Sequence, residues 1–184
     1  TFLCEVVNNM AHPYKTREGG ATVTVFVPYD CQNNCPFCIN KKEYADCSGF
    51  SLEKILASIQ VMDGITPRCD FVFTGGEPLI RKDDILRLCK EHRDCTFLAY
   101  TNATLVDQKF CDNMKEVGNL SLALSIEGSE DSNDARRGEG SYHDTMRAMD
   151  LLKKNGCFFG ISVCYTSANI DAVTSDEFID LMLQ

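Results

Sequence analysis

The chain has 184 residues, of which 44% are hydrophobic and 24% charged, with a formal net charge of −9 and a pI near 4.8. This length suits one globular domain with a substantial core. The acidic balance excludes the basic surface that a nucleic-acid or anionic-membrane partner requires, and no apolar run is long enough to span a bilayer. We therefore expect no nucleic-acid partner and no membrane span.

β-Branched and apolar runs alternate along the chain with stretches of helical periodicity. In chain order we predict strand 21–27 and helix 51–62, strand 70–74 and helix 81–92, strand 95–101 and helix 107–118, strand 119–128 and helix 141–156, and strand 157–166 and helix 175–184. Asp107 is predicted to cap the third helix and Gly118 to end it. Five successive βα units with apolar strands predict an α/β fold with a parallel sheet.

Residues 1–20 are predicted to form a lead-in, and residues 21–184 a single core domain. A helix ends the chain without a following strand, so we expect a piece of a longer protein, truncated after the fifth βα unit. The first residues show no basic segment followed by an apolar core, so no signal peptide is visible.

The eleven cysteines are odd in number and are scattered through predicted strands and helices, so they form a poor disulfide framework. They suit a reducing cytoplasm, where we expect the protein to reside. Six of them are expected to be small buried hydrophobic residues: Cys4, Cys69, Cys89, Cys95, Cys111 and Cys157.

Unusual residues follow every predicted strand at its carboxyl end, the edge where parallel α/β folds bind ligands. In strand order these are a cysteine-rich loop, GGEP (75–78), TNAT (101–104), Ser125 and Glu127 with the loop residues 133–140, and Cys164 with the two residues that follow it. We therefore predict one composite site at this edge of the sheet.

The loop DCQNNCPFCIN (30–40) places Cys31, Cys35 and Cys38 within eight positions. A disulfide would leave one thiol over. Zinc would need a fourth ligand, and none of the three histidines is predicted at the site edge. A 4Fe–4S cluster held by three thiolates leaves one iron open for a substrate or cofactor. We favour the cluster, and the other two readings stay open at this point.

The spacing Cys31-x-x-x-Cys35-x-x-Cys38, with Phe37 before the third cysteine, resembles the cluster motif of the radical S-adenosylmethionine (radical SAM) superfamily. GGEP resembles the methionine-binding stretch of that superfamily. SIEG and the later ARRGEGSY are similar to the branch that contains molybdenum-cofactor cyclases, anaerobic sulfatase-maturing enzymes and peptide maturases. The resemblance covers about residues 22–166 and implies an incomplete (β/α)6 barrel, a partial TIM barrel.

The resemblance implies that the three cysteines hold a 4Fe–4S cluster whose unique iron chelates SAM. Reductive cleavage of SAM would give methionine and a 5′-deoxyadenosyl radical, which abstracts hydrogen from a substrate. The implied partners are a peptide or small-molecule substrate and a one-electron donor such as flavodoxin or ferredoxin. The alternative from another class is a non-catalytic zinc or iron–sulfur electron-relay module.

Several SAM contacts follow from the chemistry and the resemblance together. Gly75 and Gly76 let the backbone approach a ligand closely, and Glu77 offers a carboxylate to the ammonium group of SAM. Ser125 is expected to donate to a carboxylate or a ribose hydroxyl. Arg137, preferred to its neighbour Arg136, is expected to face the SAM carboxylate with its planar fork.

The remaining SAM contacts are expected from the resemblance. Asn102 is assigned to the ribose, Val163 with Ile161 to the adenine, and Phe37 is counted among the cofactor-binding residues. Ala103 stands where the related pattern usually has glycine, so a positive φ at this position would be strained. Two further cysteines are weaker candidates for the site: Cys47 as an extra ligand and Cys164 as a substrate contact. For Cys164 we favour a packing role.

Overall fold

The computed structural model describes residues 21–27, 30–38 and 69–183. Within these residues five parallel strands form one sheet in the order β1-β2-β3-β4-β5. The strands are β1 Ala21–Val27, β2 Cys69–Gly75, β3 Thr96–Thr101, β4 Leu120–Ser125 and β5 Phe159–Ser162. The predicted α/β class and parallel sheet are confirmed. The predicted helix 51–62, the lead-in and Cys47 lie outside the described residues.

From β2 onward, helices connect the strands, as the βα pattern predicts. They are α1 Lys82–Glu91, α2 Gln108–Val117, α3 Glu130–Arg137, α4 Ser141–Lys154, α5 Ile170–Val173 and α6 Asp176–Leu183, and a short 3-10 helix, Pro78–Arg81, precedes α1. Among the described residues no helix is long and apolar enough to cross a membrane.

The ends of α2 lie where the sequence predicts them. The carboxylate of Asp107 accepts a hydrogen bond of 2.7 Å from the backbone N–H of Phe110 at the first turn. Gly118 ends the helix with a φ of 72°, a left-handed conformation that glycine adopts at little steric cost.

Helix α3 corrects the prediction that residues 133–140 belong to a loop. Ser129 caps this helix, acidic residues occupy its first turn, and Arg136 and Arg137 its last. Only Asn133 of its eight residues is buried. The helix therefore lacks the apolar periodicity used to find helices, although its cap and its charge distribution favour helix formation.

The last two strands are shorter than predicted. β4 ends at Ser125, two residues before Glu127, and β5 ends at Ser162, well before residue 166. β5 pairs with β4 through the register Leu122↔Phe159 to Ser125↔Ser162. Its central residues are exposed, because the described part of the sheet supplies only this one neighbouring strand.

The core lies between the sheet and its helices and is rich in aromatic rings. Phe97 stacks on Phe71 and Phe73, with ring centroids 5.5 and 6.0 Å apart. Cys89, Cys95, Cys111 and Cys157 are buried, as predicted for packing residues. Burial raises the pKa of the Cys89 thiol to about 12, so this thiol stays protonated and unreactive.

Candidate active site

One cavity of about 320 Å³ opens at the carboxyl ends of the strands, a volume in the range of small-molecule sites. All five of the predicted stretches contribute to its lining, so the structure brings together the composite site expected from the sequence. The lining includes Cys31, Cys35, Phe37, Cys38, Gly75, Gly76, Glu77, Tyr100, Thr101, Asn102, Ser125, Glu127, Arg136, Arg137 and Cys164.

The three cysteines of the loop lie half-buried on one wall of the cavity. A turn joins two of them, with the N–H of Cys38 donating to the carbonyl of Cys35 at 3.2 Å. Burial is the largest cause that raises the pKa of the Cys31 thiol. The carboxylate of Glu77 raises it further, as do the other two thiols. A bound cation beside the Cys31 sulfur would favour its thiolate form.

Three cysteine thiols line the same cavity, and thiolates are the ligands that hold iron–sulfur clusters. Within residues 21–27, 30–38 and 69–183, no three His, Cys, Asp or Glu side chains are arranged to hold one ion. A cluster distributes its thiolate ligands over separate iron atoms, whereas zinc would draw three sulfurs to within about 2.3 Å of one point. The residues present therefore match the cluster predicted from the spacing.

Hydrogen bonds fasten the cysteine loop to the neighbouring strand ends. The backbone N–H of Glu77 donates to the carbonyl of Asp30 at 3.0 Å, which joins the start of the loop to the end of β2. Gln32 donates from Nε2 to the Asn102 side-chain oxygen at 3.2 Å and also to the Thr104 hydroxyl. The loop is thus held against the ends of both β2 and β3.

Glu77 is the central acceptor at the end of β2. The chain turns at Gly75, whose φ of 124° is rarely adopted by residues with a side chain, and places the Glu77 carboxylate inside the protein with 2% of the residue exposed. One oxygen, Oε1, accepts from the Leu79 N–H at 2.9 Å and the Thr101 hydroxyl at 2.7 Å. The other, Oε2, accepts from the Asn102 N–H at 2.8 Å.

These bonds decide how much of Glu77 remains for a ligand. Burial is the largest cause acting on its carboxyl group and raises the pKa, although the hydrogen bonds and Arg137 act in the opposite direction. A carboxylate offers about four acceptor positions, and donors among the described residues occupy three of them. This arrangement is compatible with the predicted contact to an ammonium group.

Ala103, which stands where the family pattern usually has glycine, adopts a positive φ. Its φ is 68°, and it is the one residue other than glycine in the described ranges with a positive φ. The N–H of Ala103 donates to the Thr101 hydroxyl at 3.0 Å, and its carbonyl accepts from the Val106 N–H at 3.1 Å. The surrounding bonds therefore keep the backbone in a conformation that glycine would adopt freely.

Glu127 organises the wall of the cavity that follows β4 and was not assigned a role from the sequence. It is 1% exposed, and its Oε1 accepts from Nε and Nη2 of Arg137 at 2.9 and 2.6 Å. Its Oε2 accepts from the Cys164 N–H at 3.0 Å and lies 3.7 Å from Nε of Arg136. A charged residue just after a buried strand was the available signal, but its partners are distant in sequence.

Helix α3 places the two arginines at the cavity. Asn133 is fully buried, accepts from the Glu127 N–H at 3.0 Å and donates to the Ser141 hydroxyl at 2.8 Å. Arg136 carries its guanidinium 5.6 Å from the centre of the Phe37 ring, within the range of a cation–π contact. Arg136 therefore contacts both walls of the cavity, through Phe37 on the cysteine loop and Glu127 after β4.

Not every predicted contact lies in this cavity. Val163 lines a separate apolar groove with Ile161 and Phe178, so the structure does not bring it to the cysteine loop. Ser125 and the exposed Cys164 do line the cavity, and so does Tyr100, which was not among the residues expected there. His92 and His143 are absent from the lining, as the sequence predicts.

The parallel α/β sheet with three cysteines at its carboxyl edge defines the class of the protein, and comparison with known families agrees. The radical SAM superfamily matches residues 25–183, so the chain belongs to the radical SAM superfamily. The predicted membership is confirmed. The protein is therefore an enzyme, and the cofactors of its superfamily, a 4Fe–4S cluster and SAM, are those predicted from the sequence.

Curated relatives resemble the chain over much of its length. An uncharacterised protein of Methanocaldococcus jannaschii is 29% identical over 83% of this chain and 55% of its own. The Fe-coproporphyrin III synthase of Methanosarcina barkeri is 26% identical over 76% and 36%, respectively. The Cysteine-type anaerobic sulfatase-maturating enzyme of Clostridium perfringens is 25% identical over 76% and 42%. The chain thus spans roughly half or less of these relatives.

Solved structures share the fold. SuiB of Streptococcus suis bound to S-adenosylmethionine superimposes with a TM-score of 0.69 at 16% identity, covering 86% of this chain and 37% of SuiB. Native anSMEcpe with bound AdoMet gives a TM-score of 0.64 at 22% identity, covering 77% of this chain and 43% of that protein. The predicted partial TIM barrel is confirmed by these likenesses.

Proposed function

We propose that this chain is the catalytic domain of a radical SAM enzyme that acts on a peptide side chain or a cofactor precursor. The 4Fe–4S cluster would be held by Cys31, Cys35 and Cys38, and SAM would occupy the adjoining cavity. When bound and reduced, the cluster supplies one electron to the sulfonium of SAM, which breaks to methionine and a 5′-deoxyadenosyl radical that abstracts hydrogen from the substrate.

One observation carries the proposal. The stretches that follow all five strands meet around a single cavity, and half-buried thiols occupy one wall of it. The same cavity is lined by the guanidinium groups of Arg136 and Arg137 beside the carboxylate of Glu127. A ligand with an amino and a carboxylate group on the same carbon finds charges of both signs in this space.

The chain's residues would then bind and orient SAM. The carboxylate of Glu77 and the backbone at Gly75 and Gly76 are proposed to contact the ammonium group. Arg137 is proposed to contact the carboxylate, and Ser125 the carboxylate or a ribose hydroxyl. Phe37, an exposed ring beside the cavity, is proposed to cover the bound cofactor.

The contacts of Asn102 and Val163 within the protein bear on their proposed roles. Asn102 keeps its proposed place beside the ribose, although its oxygen already accepts three hydrogen bonds. Val163 lines the separate apolar groove, and its contact with the adenine stays a prediction beside the alternative of core packing. The proposal also includes a single core domain over residues 21–184 and a cytoplasmic location. It further includes a flavodoxin or ferredoxin as the one-electron donor.

Two relatives favour a specific alternative among the substrates. The Fe-coproporphyrin III synthase and the Pre-heme d1 synthase of Dinoroseobacter shibae are named for tetrapyrrole products, and the latter is 34% identical over 53% of this chain and 25% of its own. A tetrapyrrole precursor is therefore the cofactor-type substrate to test first. The peptide alternative is supported by SuiB, which shares the fold and has been solved bound to its precursor peptide SuiA.

The experiment is anaerobic reconstitution of the protein followed by metal and sulfide analysis and SAM binding by equilibrium dialysis. The proposal expects a brown protein with about four iron and four sulfide per chain for this cluster, and saturable SAM binding that depends on the cluster. A colourless protein that binds zinc instead would overturn it. Incubation with peptide and tetrapyrrole candidates then separates the two substrate classes.

A further inference from the structure

We propose that Asn102 is a positioning residue for Cys31 and that its side-chain amide, by donating to the Cys31 sulfur, raises the reduction potential of the cluster. The Nδ2 atom of Asn102 lies 3.7 Å from Sγ of Cys31, at hydrogen-bonding distance for sulfur. The inference rests on the proposed function, since it concerns the cluster that Cys31 would help to hold.

The orientation of the Asn102 amide is fixed by its other partners. Its Oδ1 atom accepts from the backbone N–H of Thr104 at 3.2 Å, and a backbone N–H can only donate. The Thr104 hydroxyl, at 2.7 Å, and Nε2 of Gln32, at 3.2 Å, lie at the same oxygen. The NH₂ group must therefore face the sulfur, and the reversed amide would set its NH₂ against the Thr104 N–H.

The backbone beneath this amide is held equally firmly. The N–H of Asn102 donates to Oε2 of Glu77 at 2.8 Å, and both residues are buried. The next residue, Ala103, is fully buried and keeps its positive φ through the bond of its N–H to the Thr101 hydroxyl. The amide therefore stands ready at the position of the sulfur and needs no rearrangement when a cluster binds.

The electrostatic consequence follows from the charge of the cluster. Reduction adds one negative charge, part of which resides on the thiolate sulfurs, and an N–H that points at a sulfur stabilises the reduced form more than the oxidised form. Hydrogen bonds to sulfur and exposure to solvent are the means by which proteins set such potentials. Around Cys31 this donor also offsets the nearby carboxylate of Glu77, whose charge opposes reduction.

The test is the midpoint potential of the reconstituted cluster, measured without SAM by an EPR-monitored redox titration. Asn102→Asp keeps an oxygen for Thr104 and Gln32 and replaces the donor by a carboxylate oxygen. Asn102→Ala removes the donor without adding a charge. We expect both variants to shift to a more negative potential, so that at a fixed potential the ratio of reduced to oxidised cluster falls about tenfold in Asn102→Ala, equivalent to about 59 mV.

Thr104→Val is the matched control, because it removes the Thr104 hydroxyl and retains the backbone N–H and the Asn102 donor; its potential should stay close to that of the parent. Unchanged potentials in both Asn102 variants would overturn the inference, even if their SAM affinity fell, since that result assigns Asn102 to the ribose alone. Loss of the cluster in both variants would also overturn it, because the three cysteines suffice to hold it. A parent without a cluster would instead refute the proposed function.

Discussion

Arg137 donates from both Nε and Nη2 to one oxygen of Glu127, Oε1, at 2.9 and 2.6 Å. The second oxygen, Oε2, accepts from the Cys164 N–H and lies 3.7 Å from Arg136. Because Glu127 is almost completely buried, these partners hold its charge in place. The guanidinium group of Arg137 is therefore fixed at the cavity before any ligand arrives, while part of it stays exposed.

The first prediction is that Arg137→Ala weakens SAM binding by one to two orders of magnitude. A charge-assisted hydrogen bond contributes roughly 1.5–3 kcal/mol, and each 1.4 kcal/mol corresponds to about tenfold in affinity. Equilibrium dialysis of the anaerobically reconstituted variant measures this. Arg136→Ala is the control, and its affinity for SAM should fall much less. A larger loss of affinity in Arg136→Ala than in Arg137→Ala would show that Arg136 binds the carboxylate. Normal affinity in both variants would remove α3 from the site.

The second prediction is that Glu77→Gln lowers the free energy of unfolding by about 1–3 kcal/mol, the cost of an unsatisfied buried polar group. The Glu77 carboxylate accepts at both oxygens, from Leu79 and Thr101 on one side and from Asn102 on the other. A glutamine must turn its NH₂ group toward one of these donors. Urea denaturation measures the change, and the exposed Glu139→Gln serves as a control that should be close to neutral.

The third prediction concerns Ala103, whose φ is 68°. Ala103→Gly relieves about 1–2 kcal/mol of strain but forfeits a buried methyl group of about 0.8 kcal/mol and about 0.5–1 kcal/mol of backbone entropy, so its stability should change by less than about 1 kcal/mol. Ala103→Val should lower the free energy of unfolding by about 2 kcal/mol or more, because a β-branched side chain fits neither this φ nor the packed site. Equal unfolding midpoints for the two variants would contradict this account.

The fourth prediction is a pH dependence at the start of α2. The hydrogen bond from Lys82 is the largest cause that lowers the pKa of Asp107 below its ordinary value of 3.8. A carboxyl group with a lowered folded-state pKa contributes stability above its unfolded pKa, and this contribution is lost as the pH falls through the folded-state value. Asn also caps helices well, so Asp107→Asn isolates the charge.

Asp107→Asn should therefore be slightly less stable than the parent at pH 7, by less than about 1 kcal/mol because the pair is exposed. The difference should disappear as the pH falls below about 3.8. Unfolding midpoints of the two proteins measured side by side from pH 7 to pH 3 check both statements. A gap that persists or widens at low pH would contradict the assigned sign.

The strands and the placement of the site were predictable because both depend on local patterns. Buried parallel strands read as apolar runs, and the carboxyl ends of such strands share one edge, so Cys31, Glu77 and Asn102 could be assigned to one cavity before the structure was known. The spacing of the cysteines supplied the chemistry. These inferences needed no knowledge of which side chains meet.

The remaining features depend on contacts between residues far apart in sequence. Glu127 owes its role to Cys164 and the arginines of α3, and α3 itself has no apolar face that a periodicity search could find. Val163, expected from the resemblance to contact the adenine, shares with Ile161 a groove lined by α6, a neighbour that the local sequence does not reveal. Only the packing of β5 against its neighbours decides this.

If Cys31, Cys35 and Cys38 hold a cluster that cleaves SAM, the reaction must release 5′-deoxyadenosine. The reconstituted protein is incubated anaerobically with SAM and a strong reductant, and 5′-deoxyadenosine is quantified by chromatography beside Cys35→Ala and Cys89→Ala. The account predicts 5′-deoxyadenosine from the parent and from Cys89→Ala, whose thiol is buried away from the cavity, and none from Cys35→Ala. No product from a parent that contains its full iron, or equal loss in both variants, would contradict it.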